Sequence, residues 1–201
     1  MAVRPDVTGR RYGRPMSFDP DDGTCAWANG SEEMRAYHDA EWGVPSHDDR
    51  HLFEMLTLEG AQAGLSWSMV LKRRAGYSAA FEGFDIGRVA DLTDARLESL
   101  RDDTGIVRNR AKIFSTRSNA VAILALGSFA DYLWGWVDGA PIVSHPRGMG
   151  ELPAHTELSD RLSKDLKKRG FSFVGTTIVY SLMQAVGMVD DHVVGCPAKH
   201  S

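Results

Sequence analysis

The chain has 201 residues, a quarter of them charged, and a formal charge of −4. That length fits one domain able to bury a core without disulfides, and the acidic balance excludes a globally basic, histone-like nucleic-acid binder, which would hold phosphates through excess Lys and Arg. No apolar run approaches a membrane span, and Arg4, Arg10, Arg11 and Arg14 stand among Pro and Gly without the apolar stretch of a secretory signal, so a soluble cytosolic protein is expected.

Residues 1 to about 22 show no apolar periodicity and are expected to form a tail, leaving 23–201 as a single helical domain. Pro45, Ser46, Asp48 and Asp49 make a helix start, followed by Leu52, Met55, Leu56, Glu59 and Ala63 on one face. Ser66 opens a second segment through Val70 and Leu71 toward Tyr77 and Phe81. Thr93 to Arg101 reads as a short helix with Leu97 and Leu100 inward; a glycine turn in DDTGIVRNRAKI then leads into a helix carrying Ile113, Ala120, Val121 and Leu124. Aromatic residues Tyr132, Trp134 and Trp136 occupy 129–137, and a Pro, Gly and His-rich loop covers about 138–155. Leu158, Leu162 and Leu166 recur every four residues up to the stop Lys167, Lys168, Arg169, Gly170. A last helix runs from about Thr176 to Val186, ended by Gly187. With no alternating strand and no repeat, the expected class is all-α.

Three constellations bear on chemistry. Cys25 and Cys196 are the only cysteines; with His38 and His192 they offer the two sulfurs and two imidazoles of a tetrahedral zinc sphere. A disulfide and two unrelated structural thiols are the alternatives. Glu59 lies at the centre of the apolar stripe of its helix, where a carboxylate is costly unless it is hydrogen-bonded, ion-paired or used. Trp67, just past Gly64, could line a cleft or belong to the core. In TGIVRNR the turn can direct the amides of Gly105 and Ile106 outward beside a helix N-terminus, a site for a phosphate reinforced by Arg108, Arg110 and Lys112. Such basic clusters, like Lys72, Arg73 and Arg74, also occur as solvated helix faces.

Taken together, CAWA, AYHDAEWGVP, LFEMLTLEGAQAGLSW, GIVRNRAKI and LKKRGFSFVGTTIVYSLMQAVGMVDDHVVGC form an ordered series that resembles the type I 3-methyladenine DNA glycosylases from Cys25 to Cys196. The resemblance implies a helix-hairpin-helix glycosylase fold, with one structural zinc on Cys25, His38, His192 and Cys196 joining the two ends. It implies action on double-stranded DNA that contains alkylated adenine; a monomer is the expected state, although the sequence does not fix it. Glu59 would hydrogen-bond the extruded base between Trp67 and Tyr37, with Trp27 and Ser181 nearby, and Leu65 would fill the gap left in the duplex. Thr177, Ser181 and Gln184 independently make a polar strip on the apolar last helix. Asp131 follows the hairpin at a distance suited to stabilising charge on a sugar, but in FADYLW it reads equally as an acid at a helix N-terminus. A zinc-stabilised module that binds damaged DNA without cutting it, and a hydrolase of free nucleosides, are the rival readings.

Overall fold

The computed structural model of the chain describes residues 23–199, and the expected tail at 1–22 lies outside them. Among these residues ten α-helices are joined by turns and loops: α1 (Glu32–Ala40), α2 (Asp49–Gln62), α3 (Trp67–Leu71), α4 (Arg74–Ala80), α5 (Ile86–Ala90), α6 (Asp94–Ser99), α7 (Arg110–Leu126), α8 (Phe129–Trp134), α9 (Glu157–Lys168) and α10 (Thr176–Ala185). The all-α expectation needs one small amendment. Two-residue strands β1 (Ile142–Val143) and β2 (Val189–Asp190) pair in parallel and pin the long loop to the segment after α10. Two residues are too few for the alternation that signals a strand. No single helix among the described residues is long and apolar enough to cross a membrane.

Helix α2 is the centre of the molecule, packed on α10, α7 and α8. Asp48 caps it, accepting from the amides of Arg50 and His51. The neighbouring Asp49 instead reaches α8, accepting from the amides of Phe129 and Ala130 at 3.2 and 2.6 Å. From Leu52 to Ala61 every residue except Glu54 is buried, so α2 is apolar on nearly all sides and the expected single stripe is too narrow a description. Burying Leu52, Phe53, Met55, Leu56 and Leu58 contributes about 1.5–3 kcal/mol per side chain. Against that background the burial of Glu59 stands out.

The segment from Ser66 to Phe81 is two helices rather than one, because the chain turns at Lys72 and Arg73. The turn lets Arg74 bridge Glu41 at 2.7 Å and Glu54 at 2.8 Å, so one member of the Lys72–Arg74 cluster is a structural tie. It also presents Gly76 to the turn between α6 and α7, where a Cβ would lie 2.2 Å from the carbonyl oxygen of Gly105. The two backbones meet only because Gly76 has no side chain. Helix α9 starts at a capping box of Thr156 and Ser159, and it ends at Arg169 with Gly170 left-handed, as its stop signal predicts.

Candidate active site

A cavity of about 230 Å³ opens beside the C-terminal turn of α2. Glu59 and Gln62 of α2 form its floor, Tyr37 and Met34 of α1 one wall, and Trp67 at the start of α3 another. Trp27, Trp42, Ser181 and Gln184 complete the lining with Met149 and Leu152 of the 138–155 loop. All five residues expected at a pocket, Trp27, Tyr37, Glu59, Trp67 and Ser181, are therefore brought together. Gln184 was legible only as part of a polar strip, and Gln62 by lying one turn beyond Glu59. Met149 and Leu152 had no sequence signal, since the loop that carries them has no periodicity. Asp131 does not line the cavity; it is exposed on α8, its amide donating to the capping Ser128 hydroxyl at 3.0 Å.

Three buried polar atoms belonging to residues that line this cavity, Tyr37 Oη, Glu59 Oε2 and Trp67 Nε1, have no hydrogen-bond partner among the described residues. Two are donors, and the third is a carboxyl oxygen. Leaving such groups unsatisfied costs about 1–3 kcal/mol each, so their convergence needs a reason. Burial alone pushes Glu59 up to about 8. With no donor to Glu59 Oε2 among the described residues to offset its desolvation, the carboxyl by itself favours the protonated form at neutral pH. The aromatic rings are close, Tyr37 to Trp67 at 5.1 Å between centroids and Trp27 to Trp42 at 5.1 Å.

Behind Trp42 lies a second cluster. The ligand atoms of Cys25, His38 and Cys196 lie within 4.8 Å of one another, all three residues buried, and neither cysteine is in a disulfide. His192 is not part of that group of three, but its ring stands edge-on 4.9 Å from the His38 ring. Each histidine has a carboxylate oxygen on Nδ1, Asp39 at 2.7 Å and Asp190 at 2.8 Å, which leaves Nε2 as the ligating lone pair. His192 approaches this closely because Gly43 is left-handed and a Cβ there would be 2.7 Å from the imidazole. Burial pushes the Cys25 thiol up to about 12; a cation bound among these atoms would take the thiols as thiolates. The donor set and its outer carboxylates fit a metal ion. Trp42 packs 4.6 Å from His192 and also lines the cavity, so the cluster and the cavity share a wall.

The turn before α7 is placed less simply than expected. The Gly105 amide is already satisfied, donating to Asp103 Oδ1 at 2.7 Å, so it is not offered to a phosphate. Ile106 buries its side chain in the core, and only its amide could serve. Arg108 is exposed and makes no ion pair among the described residues. Arg110 pairs with Glu98 at 2.6 Å and lies over Phe114, yet stays more than half exposed. Lys112, expected beside a phosphate, is half-buried, and its ammonium donates to the carbonyls of Ala61 and Ala63 at 2.8 and 2.7 Å. It closes the C-terminal end of α2, where a cation suits the helix dipole, and so ties α7 to the turn that holds the half-buried Leu65.

Lys112→Met should accordingly lower stability by about 1–3 kcal/mol, the cost of leaving two carbonyls without their charged donor. A thermal melt would show a Tm lower by several degrees. An unchanged Tm would mean that the tie contributes nothing.

A family model described as methyladenine glycosylase matches residues 27–200. The chain is 50% identical over 176 residues to DNA-3-methyladenine glycosylase 1 of Escherichia coli (strain K12), covering 86% of this chain and 94% of that protein. It is 43% identical over 181 residues to DNA-3-methyladenine glycosylase of Haemophilus influenzae, covering 88% and 98% respectively. Among solved structures, a variant of 3-methyladenine DNA glycosylase I in complex with 3-methyladenine superposes with a TM-score of 0.86 at 33% identity, over 89% of this chain and 98% of the other.

Proposed function

The chain belongs to the methyladenine glycosylase family, and from that premise and the chemistry of the cavity we infer that it hydrolyses the N-glycosidic bond of 3-methyladenine in DNA. The observation that carries the reading is the convergence of Tyr37 Oη, Glu59 Oε2 and Trp67 Nε1, two donors and a carboxyl, in one aromatic cavity. A purine edge offers ring nitrogens as acceptors and an exocyclic amine as donor, which complements that set. N3-methylation makes the base cationic within the nucleoside, so it is already a good leaving group and needs little acid catalysis. The protein's task is to extrude and hold it, at a cost of a few kcal/mol.

On this reading the aromatic faces of Trp67 and Tyr37 attract the cationic ring. The cation draws Glu59 into its ionised form, because an opposite charge nearby favours the carboxylate. Normal adenine, being neutral, leaves Glu59 protonated and gains no ion pair, which is the basis of discrimination. Among the described residues no lysine lines the cavity to form a Schiff base, so base release should proceed without strand cleavage. The segment Asp103–Asn109 between α6 and α7 acts as the hairpin of a helix-hairpin-helix element. The amide of Ile106 and the exposed Arg108 and Arg110 face phosphates, while Leu65 fills the gap left by the extruded nucleotide. Cys25, His38, His192 and Cys196 hold one zinc ion, which supplies a structural clamp with no open coordination position. The whole of 23–201 serves as one glycosylase domain.

Incubating the purified protein with methylated duplex DNA, and separately with free 3-methyladenosine, and following free base by chromatography tests the reading. Release of 3-methyladenine from DNA is expected. Binding without release would favour the non-catalytic module. Equal release from the nucleoside would favour a nucleoside hydrolase. Because the free cavity must lose a proton to pair with the cation, kcat/KM should rise with pH, about tenfold per unit, until pH approaches 8. A flat profile between pH 6 and 8 would remove Glu59 as the titrating partner.

A further inference from the structure

Gln184 lines the cavity one turn beyond Ser181 on α10. Which end of an amide is nitrogen is decided by its partners, and here the partner is unambiguous. Gln184 Nε2 lies 2.6 Å from Asp191 Oδ2, and a carboxylate only accepts. Asp191 is itself buried and immobilised by two further donors, Tyr180 Oη at 2.6 Å and Ser144 Oγ at 2.5 Å. The Gln184 nitrogen is therefore committed to Asp191, and its carbonyl oxygen Oε1, to which nothing donates among the described residues, is the end left for a ligand. A serine hydroxyl such as that of Ser181 rotates to suit donor or acceptor and discriminates little. An amide locked from behind presents one character only.

Resting on the glycosylase reading, we propose that Gln184 is a specificity-determining residue that selects purines bearing a 6-amino group over those bearing a 6-oxo group, with Asp191 as its positioning residue. A 6-amino group has two hydrogens. Glu59, ionised against the cationic base, and Gln184 Oε1 provide two acceptors in the same cavity. A 6-oxo purine, 3-methylguanine for example, has no hydrogen at that position and would set its oxygen against two acceptors. Sites that hydrogen-bond a substrate group reject an analogue lacking it, because the protein's own groups are then left unsatisfied.

The test uses the whole protein and one duplex DNA treated to carry both N3-methyladenine and N3-methylguanine, with both free bases quantified as they are released. Gln184→Met keeps the length of the side chain and removes the amide. Asp191→Asn replaces the acceptor with an amide that can donate, so that Gln184 can turn its nitrogen to the cavity. Each variant is expected to lower the ratio of 3-methyladenine to 3-methylguanine released by about tenfold, the worth of one hydrogen bond. An unchanged ratio in Gln184→Met overturns the proposal, whether total release persists or both bases fall by the same factor. Should Asp191→Asn fail to fold, judged by its thermal melt, Gln184→Met decides alone. Release of neither base by the unaltered protein would instead overturn the glycosylase reading, and this inference with it.

Discussion

Glu59→Gln is expected to lower excision of 3-methyladenine by about 100-fold or more, the scale of losing a group that pairs with charge in a water-excluded site. Duplex binding and metal content should be retained. The same substitution should stabilise the fold at alkaline pH. Burial raises Glu59 from 4.5 to about 8. A group whose folded-state value is raised contributes stability that is fully present below its unfolded value and is lost as pH rises through the folded one. The protein therefore loses stability between about pH 4.5 and 8, by several kcal/mol at ~1.4 kcal/mol per unit. Gln, which never ionises, escapes that loss. Denaturant titrations of both proteins should agree near pH 5 and diverge by pH 9, with the variant the more stable. A variant less stable at pH 9 would mean that Glu59 acquires a compensating partner on ionisation, and near-normal excision would refute its role.

Removal of the metal should have the other large effect. Metal analysis is expected to find one zinc per chain, and Cys196→Ser or exhaustive chelation to lower the Tm by ten degrees or more, since binding free energy at such a site is folding free energy of about 10 kcal/mol. The cavity should suffer as well, because Trp42 rests on His192 and Trp27 on His38 at 5.3 Å. Tryptophan fluorescence should shift on chelation before the helices melt. Protein purified without metal, with a Tm that Cys196→Ser leaves unchanged, would reduce the cluster to four packed side chains. Activity lost on chelation with fold and fluorescence intact would instead give the metal a chemical role.

The parts of this molecule visible in the sequence are those whose causes are local. The start of α2 could be read from Asp48, the end of α9 from Gly170, and the class from helical spacing. Glu59 stood out because a carboxylate among Leu52, Met55 and Leu56 conflicts with its surroundings, although the helix proves buried all round. Helix α1 was missed even though its Tyr37 and His38 were singled out, because Glu32, Glu33, Arg35 and Asp39 obscure any apolar face. The Gly105 amide was misassigned despite a local signal, an aspartate two residues before it that can close an Asx turn. Lys112 could not have been placed, since its two acceptors lie about fifty residues away. Nor could the orientation of Gln184, which depends on Asp191 beyond the end of α10 being held by Ser144 of the distant loop as well as by Tyr180.

Cys25 and Cys196, whose sulfurs meet in the cluster behind Trp42, lie near opposite ends of the described chain, and this has a consequence during synthesis. Contacts so distant in sequence form late, and Cys196 leaves the ribosome long after α1 and α2 have emerged and can pack. His192, the ring against which Trp42 rests, arrives with it. The aromatic wall of the cavity is thus completed only after His192 has emerged, and a chain truncated before it that folds its central helix still lacks a formed pocket. Emergence of the segment that follows α10 is what completes the surroundings of the Glu59 carboxyl.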